Sequence, residues 1–259
     1  MKLLRVFAVL FALLAVSNFL KPILENGETG FVFLGRRLAG PPNLIAAWTF
    51  MAFLVAYAVS LWRERAAALP LGIAYACYVT ANLYLFTMRT APPTGNAKIF
   101  GIVFTVLALA GSWGVVALMI RDGFASRDSA PGRILLRAFA LLFALMALSD
   151  AIKPFAYTAD VGFVLFGQRQ TGMANTVAAL VFASLLATYA ASIWQEKRLA
   201  LTLGAAYAAY VIANLVLWNF RKPPGTELPL SFIVPYLFSA VGVSNGAALL
   251  LWRHRERLT

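Results

Sequence analysis

Tyr75 to Arg89 reads YACYVTANLYLFTMR, and Tyr207 to Arg221 reads YAAYVIANLVLWNFR. The two stretches stand 132 positions apart (207 − 75 = 132; 221 − 89 = 132). The offset holds outward in both directions. Leu4-Arg5 returns as Leu136-Arg137, Lys21-Pro22 as Lys153-Pro154, Gly30-Phe31-Val32 as Gly162-Phe163-Val164, and Trp62 with Glu64 as Trp194 with Glu196. No insertion is needed from about residue 3 to the end, and roughly two in five aligned positions are identical. The chain therefore reads as a tandem duplication.

Composition sets the class. Residues AVILMFWYC make up 61% of the chain, and mean hydropathy is +0.78. A soluble domain of this size could not hide so much apolar surface. The expectation is an all-α polytopic membrane protein. Spanning takes about 20 apolar residues, and eight runs qualify: 3–21, 44–62, 67–88, 99–120, 134–153, 176–194, 201–220 and 231–252. The first run has a signal-like start in Lys2 and Arg5. Its copy lies mid-chain, where no signal is cleaved, so it is taken as a retained helix.

Four helices per repeat is an even number, so both repeats enter the membrane from the same side. That predicts a pseudo-two-fold axis along the membrane normal, as in parallel-repeat transporters. Residues 1–121 form the first repeat, 122–133 a Gly-, Pro- and Ser-bearing cytoplasmic linker, and 134–259 the second repeat. With both termini cytoplasmic, thirteen Lys and Arg residues fall inside and nine outside, the bias the positive-inside rule favours. A bacterial inner membrane is the expected location.

Net charge is +12, but the basic residues sit between apolar runs. They are expected to meet phospholipid headgroups and not nucleic acid. A lone Cys77 and a lone His254 argue against a metal or haem centre, and no cofactor is expected. No Walker, Gly-x-Ser-x-Gly or His-Glu-x-x-His motif is present. Acid–base chemistry would have to rely on Asp150 or an outer lysine, so a non-catalytic role is expected ahead of the alternative, a lipid-modifying enzyme that uses one of them.

The informative polar residues form stripes. Tyr75, Tyr78, Asn82 and Arg89 fall within about 60° of arc on a helix, as do Tyr207, Tyr210, Asn214 and Arg221. A second face carries Asn43, Phe50, Tyr57, Ser60 and Glu64. The first helix of each repeat ends in Ser17-Asn18-x-x-Lys21-Pro22 or Ser149-Asp150-x-x-Lys153-Pro154. The topology gathers these groups near the outer surface. Between the first two helices of each repeat lie long loops, 22–43 and 154–175, punctuated by Gly30, Gly35 and Gly40 or Gly162, Gly167 and Gly172. Phe31–Leu34 and Phe163–Phe166 are too short to span and are expected to fold back over the bundle mouth or lie at the interface.

Two expectations follow for the cluster. One is a site for an anionic solute or lipid headgroup, built from Lys21, Arg37, Asn82, Arg89, Asp150, Lys153, Arg169, Asn214 and Arg221, because a guanidinium fork suits phosphate or carboxylate. The other is structural, with the asparagines bridging helices and the cations reaching to the interface. At the level of the protein, the first predicts ligand binding or transport without ATP. The alternative is a non-catalytic accessory or scaffold subunit. Helices 99–120 and 231–252 carry Gly111, Ser112 and Gly114, and Gly242-x-x-x-Gly246, which predict a homodimer or membrane-protein contact. Pro235 predicts a kink in one repeat only.

Overall fold

The computed structural model describes residues 2–24, 30–90, 95–127, 132–156, 162–221 and 230–259. The chain divides into two compact units, Met1–Ile134 and Leu135–Thr259. In the first, α1 (Lys2–Leu24), α2 (Gly40–Trp62), α3 (Ala68–Arg89) and α4 (Gly95–Arg121) follow one another, with strands β1 (Val32–Phe33) and β2 (Arg36–Arg37) between α1 and α2. In the second, α5 (Arg133–Ala156), α6 (Gly172–Trp194), α7 (Leu199–Arg221) and α8 (Leu230–Arg253) are joined in the same way, with β3 (Val164–Leu165) and β4 (Gln168–Arg169) between α5 and α6. Seven of the helices, α1 to α7, are long and apolar enough to cross a membrane. The Pro235 side chain lies outside the described residues.

The helices run past several expected ends. α1 continues to Leu24 with Pro22 inside it, and α5 to Ala156 with Pro154 inside it. In a final turn few downstream hydrogen bonds depend on the helix, so the ring is tolerated there. At its start, α2 takes in Pro41 and Pro42, whose fixed φ suits a first turn.

Burial follows helical spacing. On α1 the buried positions are Leu4, Ala8, Phe11, Ala15 and Asn18, alternately four and three apart, which is one face of a helix. That face packs on α2, where Phe11 meets Tyr57 at 4.6 Å between ring centres. Across α1 the opposite side bares Leu3, Val6, Leu10 and Leu13. Apolar exposure on that scale suits a lipid solvent and not water. In the second unit Phe143 meets Tyr189 at 4.6 Å, within a core that includes Leu136, Ala140, Leu186 and Leu251.

Each unit has a turn end and a hairpin end. At the turn end α2 stops in a Schellman motif. The N–H of Arg65 donates to Ser60 O at 2.9 Å and that of Glu64 to Leu61 O at 3.2 Å. Glu64 takes the left-handed conformation, φ 53°. It therefore stands beyond the helix and not on the face expected to continue from Asn43, Phe50, Tyr57 and Ser60, all four of which are buried. Glu196 occupies the same kind of turn, φ 56°. Residues 122–133, expected as the linker, begin with a 3-10 turn, Phe124–Arg127, in which Phe124 is fully buried. Leu258 is likewise buried at the end of the second unit. There Thr259 N–H donates to Glu196 O and Arg198 N–H to Thr259 O, at 2.9 and 2.8 Å.

Candidate functional site: a clamped hairpin at one end of each unit

The segment between α1 and α2 folds back as a tight hairpin. β1 and β2 are antiparallel, with Val32 opposite Arg37 and Phe33 opposite Arg36. Only Leu34 and Gly35 connect them, and both have positive φ, 45° and 75°. That pair of values marks a two-residue type I′ turn, whose twist matches paired strands. Gly35 is required twice over. Beyond its φ, a Cβ there would stand 2.4 Å from the main-chain carbon of Leu85, so the tip is pressed onto the backbone of α3. Gly30 has a similar constraint, because its Cβ would fall 1.8 Å from Leu38 O. Phe33 is fully buried beneath the hairpin, its ring tilted against that of Tyr78 with centres 5.8 Å apart. Val32 and Arg37 point to the other side of the strand pair.

Side chains of α2 and α3 hold the hairpin by its main chain. Asn43 Oδ1 accepts the N–H of Phe31 at 2.8 Å. Tyr78 Oη donates to Val32 O at 3.2 Å, Asn82 Oδ1 accepts the N–H of Gly35 at 2.8 Å, and Arg89 Nη1 donates to Leu34 O at 2.6 Å. The spacing of Tyr78, Asn82 and Arg89 puts all three on one stripe of α3. A strand pair two residues long has little pairing of its own. These bonds satisfy main-chain groups that no second sheet strand reaches.

The second unit uses the same set of residue types. Phe166 and Gly167 form the turn, φ 46° and 74°. Asn175 Oδ1 accepts from Phe163 N–H at 2.6 Å, Tyr210 Oη donates to Val164 O at 3.2 Å, Asn214 Oδ1 accepts from Gly167 N–H at 2.9 Å, and Arg221 Nη1 donates to Phe166 O at 2.9 Å. Asn214 adds a bond from Nδ2 to Val164 O at 3.3 Å.

The structure therefore brings four of the nine expected ligand residues, Asn82, Arg89, Asn214 and Arg221, onto hairpin main chain. They bridge helix to hairpin, where helix-to-helix bridging was one expectation. Asp150 is buried and accepts from Lys153 Nζ at 2.6 Å, and the same ammonium lies 5.9 Å from the centre of the Phe163 ring. In the first unit Asn18 takes the equivalent buried place on α1, and Lys21 is exposed in the last turn. Arg37 and Arg169 are exposed on the hairpins, Arg169 with its guanidinium 5.8 Å from the Trp218 ring centre. The rings of Tyr75 and Tyr207 lie against the first helix of each unit, 5.3 Å from Phe11 and 5.7 Å from Phe143.

One relationship had no sequence signal. Tyr57 and Tyr189 are fully buried, and their hydroxyls have no hydrogen-bond partner among the described residues. Each lies against a glycine of the next helix. A Cβ on Gly72 would stand 2.7 Å from Tyr57 Oη, and one on Gly204 would stand 2.6 Å from Tyr189 Oη.

Chemically the hairpin ends offer cations and main-chain hydrogen bonds. Among the described residues no group of three His, Cys, Asp or Glu side chains is placed to hold a metal ion. A shallow groove elsewhere, between α1 and α2, is lined by Ala12, Ala15, Phe19, Met51, Val55 and Ala58 and offers only apolar contact.

These features define a multi-pass, helical integral membrane protein whose long helices are joined in each unit by a clamped hairpin. Comparison of the chain with protein-family models, with curated proteins and with solved structures finds no match to any of them.

Proposed function

We propose that the protein binds an anionic group, a lipid headgroup or a small solute, at the hairpin ends, without ATP hydrolysis. In this reading the units are tandem repeats related by an axis along the membrane normal. The hairpin ends face outward, and both termini are cytoplasmic, in a bacterial inner membrane. One observation carries it. Lys21, Arg37, Arg89, Arg169 and Arg221 are all exposed, and the four arginines stand on or beside hairpins whose main chain is pinned at several points. Guanidinium groups held in place lose less freedom on meeting an anion. Asp150 and Lys153 are already paired with each other, so their part is to shape the rim. Binding is favoured over carriage, because stretches such as Phe7–Leu14 are wholly apolar and offer an ion no polar path.

Native mass spectrometry of gently solubilised protein tests this. Lys21→Gln, Arg37→Gln and Arg169→Gln, combined, leave the main-chain clamps untouched. The proposal expects the wild type to retain a phosphate-bearing lipid or small anion that the triple variant loses. Equal retention by both proteins refutes it.

A second reading is favoured by a different observation. Among the described residues, nothing lies within 4 Å of the place a Cβ would take on Gly111, Gly114 or Gly242. Those open stretches of α4 and α8 would admit the helix of a partner or a second copy, as an accessory or scaffold subunit requires. Here Gly114→Leu or Gly242→Leu breaks co-purification of the partner, and retention by both variants refutes the contact.

A further inference from the structure

The two hairpin ends differ in charge. On α5 the buried carboxylate of Asp150 accepts from Lys153 Nζ at 2.6 Å. On α1 the buried place three residues before Lys21 belongs to Asn18, whose amide carries no charge to set against the exposed ammonium. The strands differ as well. β2 is Arg36–Arg37, and β4 is Gln168–Arg169. Among the described residues the first end therefore sets Lys21, Arg36, Arg37 and Arg89 against no carboxylate, and the second sets Lys153, Arg169 and Arg221 against Asp150. The order is the same over the whole sequence of these segments. Residues 17–43 and 89–98 carry five basic and two acidic residues, and 149–175 and 221–230 carry four and three.

Asp150 acts on an anion in two ways. Its own charge repels one. It also holds Lys153, because a buried carboxylate left without its cation is strongly unfavourable, and its side chain is only 11% exposed. An anion at the first end meets neither obstacle, and Lys21 is there to donate to it. We infer that the hairpin end of the first unit is the tighter site for a phosphate-bearing anion, and that the residue at the place of Asn18 or Asp150 sets the difference between the two ends. The inference rests on the anion-binding role proposed above. It names the end that performs that role best and the side chain that decides it.

The test exchanges the residues the two units place there, in the full chain. Asn18→Asp gives the first end a carboxylate. Asp150→Asn removes the one at the second and leaves Lys153, Arg169 and Arg221 to match Lys21, Arg37 and Arg89. Two probes are used. Radiolabelled inorganic phosphate is counted by equilibrium dialysis against protein in phosphatidylcholine nanodiscs. Phosphatidylglycerol is counted by native mass spectrometry of gently solubilised protein. The wild type should hold one tight equivalent per chain. Asn18→Asp should weaken it by about tenfold, the loss of one hydrogen bond to a charged group. Asp150→Asn should hold two tight equivalents, a gain that an unfolded variant would not show. Binding of phosphate marks a free solute, and binding of phosphatidylglycerol alone marks a headgroup. Two equal equivalents in the wild type, an unweakened site in Asn18→Asp, or no second tight equivalent in Asp150→Asn overturns the inference and leaves the anion-binding role standing. Binding of neither probe by the wild type overturns both.

Discussion

Asn82 Oδ1 accepts the N–H of Gly35 at 2.8 Å, joining residues 47 positions apart in sequence. The bond ties the tip of a two-residue turn to the middle of a helix stripe. Removing it leaves a half-buried amide without a partner. Asn82→Leu is therefore expected to destabilise the protein by about 1–3 kcal/mol, and Asn82→Asp, which keeps an acceptor oxygen, by less. Reversible unfolding in detergent micelles would read the difference. Equal losses for the two variants would count against the hydrogen bond as the cause.

Gly35 and Gly40 separate two roles of glycine. Both have positive φ, 75° and 59°. A Cβ on Gly35 would stand 2.4 Å from the backbone of Leu85, whereas one on Gly40 would meet nothing within 4 Å among the described residues. Gly40→Ala should cost about 1–2 kcal/mol, the penalty of the left-handed conformation alone. Gly35→Ala adds a collision with main chain that cannot move, so it should unseat the hairpin. Its melting temperature should fall further, and amide exchange at residues 31–38 should rise. If both variants behave alike, the close approach to α3 is wrong.

Tyr57 and Gly72 form a coupled pair. The hydroxyl has no hydrogen-bond partner among the described residues and sits where a side chain on Gly72 would go. Tyr57→Phe removes an unsatisfied buried group and should be neutral or stabilising by about 1 kcal/mol. Gly72→Ala alone should destabilise, because a Cβ would also stand 2.5 Å from Met119 Cε. In the Tyr57→Phe background that loss should shrink, with a coupling of about 0.5–3 kcal/mol in the double-mutant cycle. Strict additivity would contradict the contact.

Glu64 and Glu196 close the Schellman turns in the left-handed region. Glycine suits that position without a Cβ penalty. Glu64→Gly and Glu196→Gly should each raise stability by up to about 1 kcal/mol, seen as an upward shift in melting temperature. A loss on both substitutions would show that the carboxylates contribute more than the strain costs.

The helices were legible because long apolar runs are a property of local sequence. The polar stripe of α3 was legible as a stripe for the same reason. Its destination was not. Tyr78, Asn82 and Arg89 were expected to meet a ligand or a neighbouring helix, and the structure adds a bond from each to hairpin main chain. That choice depends on a tertiary approach across some fifty residues, and main-chain acceptors carry no side-chain signature. The hairpins themselves left only a faint mark, Gly35 and Gly167 between short apolar runs, because strands of two residues are too short to show alternation. Pro22 pointed to a helix end that lies two residues further on, since a last turn tolerates the ring. Phe124 was hidden in a polar linker because a single apolar residue has no period.

Amide hydrogen exchange of the wild-type protein in nanodiscs, resolved at Gly35 and Gly167, tests the clamped hairpin most directly. The account predicts that both amides exchange far more slowly than unstructured loop amides, and that Asn82→Leu with Asn214→Leu abolishes that protection while the α3 and α7 helix amides keep theirs. Exchange of Gly35 and Gly167 at unprotected rates in the wild type would contradict it.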